Sequence, residues 1–104
     1  MAFQEGVRPY KIGGPLHPEL LSTVLPVYPE SARKEKISGN IILQIVVRAD
    51  GIPDGLVVLQ MPVGGEWLAG SAVEAVSKWR YKPATRNGVP VNAYFTVIID
   101  FHLT

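Results

Sequence analysis

The side chains that could do catalytic or metal chemistry are few in this chain and are not spaced for it. His17 and His102 are far apart in sequence, and His102 falls on the outer face of a predicted strand, where a solvated polar residue is expected. Asp50 and Asp54 lie four positions apart around a predicted turn, without the pattern of a calcium-binding loop. No zinc-protease, nucleophile-elbow or Walker motif occurs. The sequence therefore predicts no catalytic residue, no metal site and no cofactor.

The charged residues argue against nucleic acid or a membrane as the partner. Ten Lys and Arg oppose nine Asp and Glu, which gives a net charge of +1. The one local basic cluster, Arg33, Lys34 and Lys36, lacks the aromatic side chains on which bases stack. We therefore predict neither a nucleic acid nor a small-molecule substrate as a partner.

The chain has no cysteine, signal peptide or run of 18 apolar residues. The absence of cysteine excludes disulfides and fits the cytosol and the periplasm equally well. We expect that any membrane anchor of the natural protein lies outside this chain.

The most informative pattern is the alternation of side chains over residues 91–103, which has the period of a sheet with one buried face. The face predicted to be buried carries Val91, Ala93, Phe95, Val97, Ile99, Phe101 and Leu103. Strands typically have about five or six residues, so this one is expected to outrun its neighbours and to leave an uncovered edge. An uncovered edge is typical of a site that captures another extended chain.

Other elements must support that strand. Pro29 predicts the start of a short helix. Alternation over residues 41–47 predicts a strand, and Asp50-Gly51 predicts a turn into a return strand at residues 55–61. A helix with one apolar face follows at residues 68–79.

A second turn, at Asn87-Gly88, precedes the last strand. This order of elements predicts an α+β fold, with a three-stranded antiparallel sheet, two helices packed on one face and a long C-terminal edge strand. The predicted helix-covered core comprises Ile41, Leu43, Ile45, Val47, Val57, Leu59, Met61, Leu68, Ala72, Val76, Trp79, Phe95, Val97, Ile99 and Phe101.

The first residues form a different kind of segment. Proline or glycine at positions 9, 13, 14, 15 and 18 prevents regular structure, and a short extended piece is expected at residues 20–24. We therefore predict an N-terminal linker or extension, partly extended, over residues 1–24 and a folded domain over residues 25–104.

Several short motifs follow one another along the folded part. They are Pro26-Val27-Tyr28-Pro29, Ala32-Arg33, Ile37-Ser38-Gly39, Asp50-Gly51, Ala75-Val76, Trp79-Arg80-Tyr81-Lys82-Pro83-Ala84 and Asn87-Gly88-Val89-Pro90-Val91. Together and in this order, they resemble the C-terminal domain of the TonB energy-transducer family. The resemblance covers roughly residues 25–103.

The resemblance implies a periplasmic binding module of Gram-negative bacteria that is not an enzyme. It implies that residues 25–104 form a TonB-like C-terminal domain that captures the TonB box, a short extended segment of a TonB-dependent outer-membrane transporter. In full-length members an N-terminal helix, absent from this chain, anchors the protein in the inner membrane. There a proton-driven motor complex supplies energy for the import of siderophores, vitamin B12 and similar nutrients.

The resemblance also implies that the captured peptide adds as a strand to the edge of the last strand. The peptide-binding residues it implies are Pro26, Tyr28, Pro29, Val91, Asn92, Ala93, Tyr94, Phe95, Thr96, Val97 and Ile98. Leu25 stands where well-known members have glutamine, so that contact is not carried over. Tyr28 itself, with a large ring and a hydroxyl, suits either a peptide anchor or a staple between the short helix and the sheet.

The alternative is a self-associating or scaffold module of the cell envelope with a partner other than a transporter. The edge that accepts a peptide could equally pair with a second copy of the chain and give a homodimer. An enzyme would need titratable residues that converge in a pocket, and the sequence offers no such set.

Overall fold

A computed structural model of the protein describes residues 17–103 in full and the backbone of residues 2–6. The elements are β1 (Ala2–Gly6), β2 (Glu19–Ser22), α1 (Glu30–Lys34), β3 (Gly39–Val47), β4 (Pro53–Gln60), α2 (Glu66–Ser77), β5 (Arg80–Lys82), β6 (Ala84–Arg86), β7 (Val89–Val91) and β8 (Ala93–Phe101). Residue 1 and residues 7–16 of the predicted linker, and the last residue of the predicted domain, lie outside the described residues. The short extended piece predicted near residue 20 is β2, which pairs with β5.

The main sheet is antiparallel and has the strand order β1-β8-β3-β4. β3 and β8 pair residue for residue from Gly39↔Phe101 to Val47↔Ala93 without a break in register. β4 lies on the other side of β3 and pairs with it through two shifts of register. The predicted three-stranded α+β sheet, β4-β3-β8, is confirmed, and β1 adds a fourth strand at the outer side of β8.

The core lies between α2 and one face of β3 and β8. Its strand residues are Ile41, Leu43, Ile45, Val47, Phe95, Val97, Ile99 and Phe101, each at most 1% exposed. Leu68, Ala72 and Val76 of α2 are fully buried against them, and so is Trp79 just beyond that helix. The alternation of apolar residues in the strands and their helical spacing in α2 predict all of these positions, and the structure confirms them.

The prediction for the return strand, β4, is wrong about which of its side chains face the core. Val57, Leu59 and Met61 are 50%, 54% and 42% exposed, whereas Leu56 packs against the core. The residues at 56–59 are all apolar, so no alternation in the sequence distinguishes the two faces. The pairing with β3, interrupted by its two register shifts, determines the phase.

The last strand is shorter than predicted, because β8 spans Ala93–Phe101 and not residues 91–103. Val91 belongs to β7, which forms a hairpin with β6. Asn92 separates the two strands, and its Oδ1 accepts a hydrogen bond from the backbone N–H of Ala49 at 2.7 Å. The local alternation runs through Asn92 and so gives no sign of this contact with a residue 43 positions away.

Both predicted turns are confirmed. Asn87 and Gly88 have positive φ angles of 53° and 78° and connect β6 to β7. Gly51 has a φ of 82°, and a Cβ there would lie 2.1 Å from the carbonyl oxygen of Tyr81. The Gly51 carbonyl accepts a hydrogen bond from the Tyr81 N–H at 3.0 Å. Glycine is therefore needed at position 51 both for its backbone angle and for the close approach of β5.

No helix in the described part of the chain is both long and apolar enough to cross a membrane.

Replacing Trp79 tests the assignment of the core. Its ring is fully buried, and its Nε1–H donates to the carbonyl of Val24 at 2.9 Å. Trp79→Ala should therefore lower the free energy of unfolding by about 3–5 kcal/mol, as measured by urea denaturation of the purified domain. Trp79→Phe, the control, keeps much of the apolar volume and loses the donor, so its loss should be nearer 1–3 kcal/mol. An alanine variant as stable as the parent would contradict a core position for Trp79.

Candidate functional site

The outer side of β8 is the site that the sequence predicts, and the structure places a strand there. β3 occupies one side of β8 along its whole length. On the other side, β1 lies antiparallel, from Gly6↔Thr96 to Ala2↔Asp100. The prediction of an uncovered edge is therefore wrong over residues 96–100. Residues 93–95 of β8 have no partner in β1.

Along this outer side of β8, the groups available to a partner are mainly backbone N–H and C=O groups. Phe95 and Val97 point into the core and are at most 1% exposed, so they can reach a bound strand only through their N–H and C=O groups. Tyr94, Thr96 and Ile98 lie on the opposite face of the sheet and are partly exposed. A strand added here would gain backbone hydrogen bonds along β8 and side-chain contacts on that outer face.

Tyr28 connects the segment before α1 to the far end of β8. Its hydroxyl donates to the carbonyl of Ile37 at 2.5 Å, and its ring meets Phe101 edge-on with 5.4 Å between centroids. The guanidinium of Arg33 lies over the same ring, 5.6 Å from its centroid. These contacts are those of a staple between α1 and the sheet, which is one of the two predicted roles of Tyr28.

The Ile37 carbonyl is held in place by the way α1 ends. Lys36 has a φ of 54°, the N–H of Lys36 bonds to the Arg33 carbonyl, and that of Ile37 bonds to the Ala32 carbonyl. This pair of hydrogen bonds is the Schellman motif. It turns the chain sharply, so that Ile37 packs against the core and its carbonyl faces Tyr28.

A second concave surface lies between the segment of residues 24–29 and α2. This groove has a volume of about 460 Å³ and is lined by Val24, Leu25, Pro26, Val27, Pro29, Trp67, Gly70, Ser71, Glu74, Ala75 and Lys78. The Ser71 hydroxyl donates to the Val27 carbonyl and holds the segment on the helix. Trp67 and Val27 are 69% and 75% exposed. Sequence reasoning missed this groove, because Trp67 lies outside the apolar face from which the helix was predicted.

The structure divides the predicted site residues into separate groups. Ala93, Tyr94, Phe95, Thr96, Val97 and Ile98 lie together in β8, whereas Val91 ends β7 and Asn92 links the two strands. Pro26 and Pro29 line the groove beside α2. Tyr28 of the same block contacts β8, through Phe101.

The polar side chains of the described residues form few close groups. Within residues 17–103 there is no group of three or more His, Cys, Asp or Glu side chains that could hold a metal ion. His102 and Asp100 approach to 3.3 Å, and Arg48 and Asp50 to 2.7 Å, but both pairs are exposed. Such pairs contribute little to stability.

Comparison with known proteins gives relatives with the same domain. Residues 24–103 match the family model described as Gram-negative bacterial TonB protein C-terminal. Protein tonB2 of Pseudomonas aeruginosa is 36% identical over 78 residues, which cover 75% of this chain and 28% of that protein. Protein TonB of Vibrio cholerae serotype O1 is 37% identical over 87 residues, which cover 83% of this chain and 35% of that protein. The matched region is thus about a third of the length of these curated relatives.

A solved structure has the same fold. The solution NMR structure of the Pseudomonas aeruginosa TonB C-terminal domain aligns with a TM-score of 0.70, covering 92% of this chain and 95% of that one. Its identity of 24% supports the likeness of fold alone. The family model, however, spans most of the chain and includes α1, α2, β3, β4 and β8. On that match, the chain belongs to the TonB energy-transducer family, as a C-terminal domain.

Proposed function

We propose that this domain binds an extended peptide by adding it as a strand to the outer side of β8, and that the peptide is the TonB box of a TonB-dependent outer-membrane transporter. One observation carries the proposal: a five-residue segment, β1, already pairs antiparallel with this side of β8. The geometry of the edge is therefore suited to an added strand. Membership of the TonB family supports a transporter as the partner.

The residues proposed to bind are those of β8 from Ala93 to Ile98, acting mainly through their backbone. Tyr94, Thr96 and Ile98 would contact alternate side chains of the peptide on the outer face of the sheet. Tyr28 and the prolines beside it would act indirectly, by fixing α1 against the end of β8. Asn92 would fix the start of the strand through its hydrogen bond to Ala49.

The domain would work in the periplasm, as one part of a longer protein anchored in the inner membrane. A proton-driven motor there would pull on the transporter through this domain to drive nutrient import. Strand addition suits that task. When a row of backbone hydrogen bonds is pulled along the strands, the bonds must break together, so they resist more force than bonds that are pulled apart one at a time. The unbroken pairing of β3 and β8 would pass the load into the core.

Proline substitutions at two adjacent positions test this mode of binding. Successive N–H groups of a strand point to opposite sides, so one of Tyr94 and Phe95 directs its N–H outward and the other directs it toward β3. Both lie where β1 is not paired. The proline whose lost N–H points outward should weaken peptide binding at least tenfold and keep the fold, and the other should unfold the domain.

The matched controls are Tyr94→Ala and Phe95→Ala, which remove the same side chains and keep the N–H groups. Binding should be measured by calorimetry with synthetic peptides from the periplasmic N-terminal segments of outer-membrane transporters. Circular dichroism would report the fold. The mode of binding is contradicted if every proline variant that keeps the fold binds the peptides as tightly as its alanine control does.

Tyr28→Phe separates the two roles of that residue. The change keeps the ring against Phe101 and deletes the hydroxyl that bonds to Ile37. A staple should lose about 1–3 kcal/mol of unfolding free energy in urea denaturation, because the Ile37 carbonyl loses its partner, while peptide affinity stays within twofold. An affinity loss of tenfold with unchanged stability would instead make Tyr28 a peptide contact.

Self-association is the second candidate, and the opposite edge of the sheet favours it. β4 is the terminal strand there, and Val57 and Leu59 in it and Met61 just beyond it are 42–54% exposed. Exposed apolar side chains on a terminal strand promote pairing with a second copy. Sedimentation velocity across a range of concentrations should show a dimer that Leu59→Lys abolishes. A monomer at every concentration would leave peptide binding as the sole candidate.

A further inference from the structure

The chain carries its own occupant for the site proposed above. β1 is paired with residues 96–100 on the outer side of β8, where the partner peptide would lie. One side of a strand can pair with only one other strand, because each N–H and C=O there has a single fixed direction. While β1 is in place, a partner can therefore not pair with residues 96–100.

We propose that β1 is a displaceable intramolecular competitor, which the partner peptide must remove in order to bind along the whole of β8. The inference rests on the proposed function of β8 as a strand-binding edge. It adds that the edge is regulated by residues 2–6 of the same chain.

β1 would compete weakly for the edge of β8 because it is short, and persistently because it is part of the same chain. It has five residues, against nine in the β3 pairing that holds β8 from the other side. Residues 7–18 join it to β2, and a short tether can keep a segment at an effective concentration on the order of millimolar. If β1 occupied the edge nine-tenths of the time, the apparent affinity for a partner would fall about tenfold.

A reversible disulfide gives the most direct test. The chain has no cysteine, and Gln4 is paired with Ile98. Directly opposite residues of antiparallel strands are about 4.5–5.5 Å apart between Cα atoms, within the range that a disulfide spans. The double variant Gln4→Cys, Ile98→Cys in the full chain would hold β1 on β8 when oxidised and release it when reduced. Comparison of the two states of one protein removes any effect of the substitutions themselves.

The probes are synthetic transporter N-terminal peptides and a peptide with the sequence of residues 1–8 of this chain. The oxidised variant should bind each probe at least tenfold more weakly than the reduced variant, and dithiothreitol should restore binding. Equal affinity in the two states, or failure of the disulfide to form, would overturn the inference.

Proline in β1 gives the complementary variant, in which the competitor is weakened. One of Gln4 and Glu5 directs its N–H toward β8, and its replacement by proline should lower amide-exchange protection of residues 96–100. That variant should also bind transporter peptides roughly tenfold more tightly than its alanine control. The residue 1–8 peptide, added at millimolar concentration, should restore the protection. Unchanged protection in both proline variants would contradict β1 as the occupant.

The two proposals fail in different ways. If the residue 1–8 peptide binds the weakened variant but no transporter peptide binds any form, β1 is upheld as the occupant and the transporter as partner is contradicted. If transporter peptides bind the oxidised, reduced and proline forms equally, they bind elsewhere than on residues 96–100 of β8, so regulation by β1 is overturned while the transporter as partner is upheld.

Discussion

The antiparallel pairing of β3 with β8 is the interaction on which the rest of the structure depends. Nine residues of each strand are matched without a register shift. This regular pairing keeps every inward side chain of both strands on one face, where each is at most 9% exposed. A slip of one residue would turn that entire set toward solvent. The register is thus fixed by the burial of large apolar side chains, and the direction of each backbone group on the outer side of β8 is fixed with it.

The two edges of the sheet formed by β4, β3 and β8 differ in how they are covered. At one edge β1 covers residues 96–100 of β8, and at the other β4 presents exposed apolar side chains. The predicted peptide site is therefore not a bare edge, and under the proposed function, capture of a partner would be an exchange of one strand for another. Such an exchange would limit pairing with unrelated chains, which is the hazard of an exposed edge. It would still admit a segment that pairs over a longer stretch than β1.

Prediction of the fold from the sequence is most reliable where the periodic pattern of apolar residues is uninterrupted. In β3 and β8 the alternation of apolar residues identifies the core, and the Asp50-Gly51 and Asn87-Gly88 turns are correct in place. The order of motifs likewise indicates the family, which the match over residues 24–103 shows. In these regions local preference and tertiary structure agree.

Prediction fails where contacts between distant residues decide the outcome. The apolar run at residues 56–59 fits either face, so the pairing of β4 with β3 decides its phase. The contact of Asn92 with Ala49 ends the strand that alternation would extend. β1 has no alternation and pairs with residues 90 or more positions away. Nothing in its five residues therefore indicates that it would lie on the predicted site.

The central claim is that an extended partner binds along the outer side of β8. Nuclear Overhauser contacts between an isotopically labelled domain and an unlabelled transporter peptide would test this claim most directly. We expect backbone contacts from the peptide to residues 93–98 of β8, together with loss of the contacts between β1 and β8. Contacts from the peptide to the groove beside Trp67 or to β4, with those between β1 and β8 retained, would contradict the account.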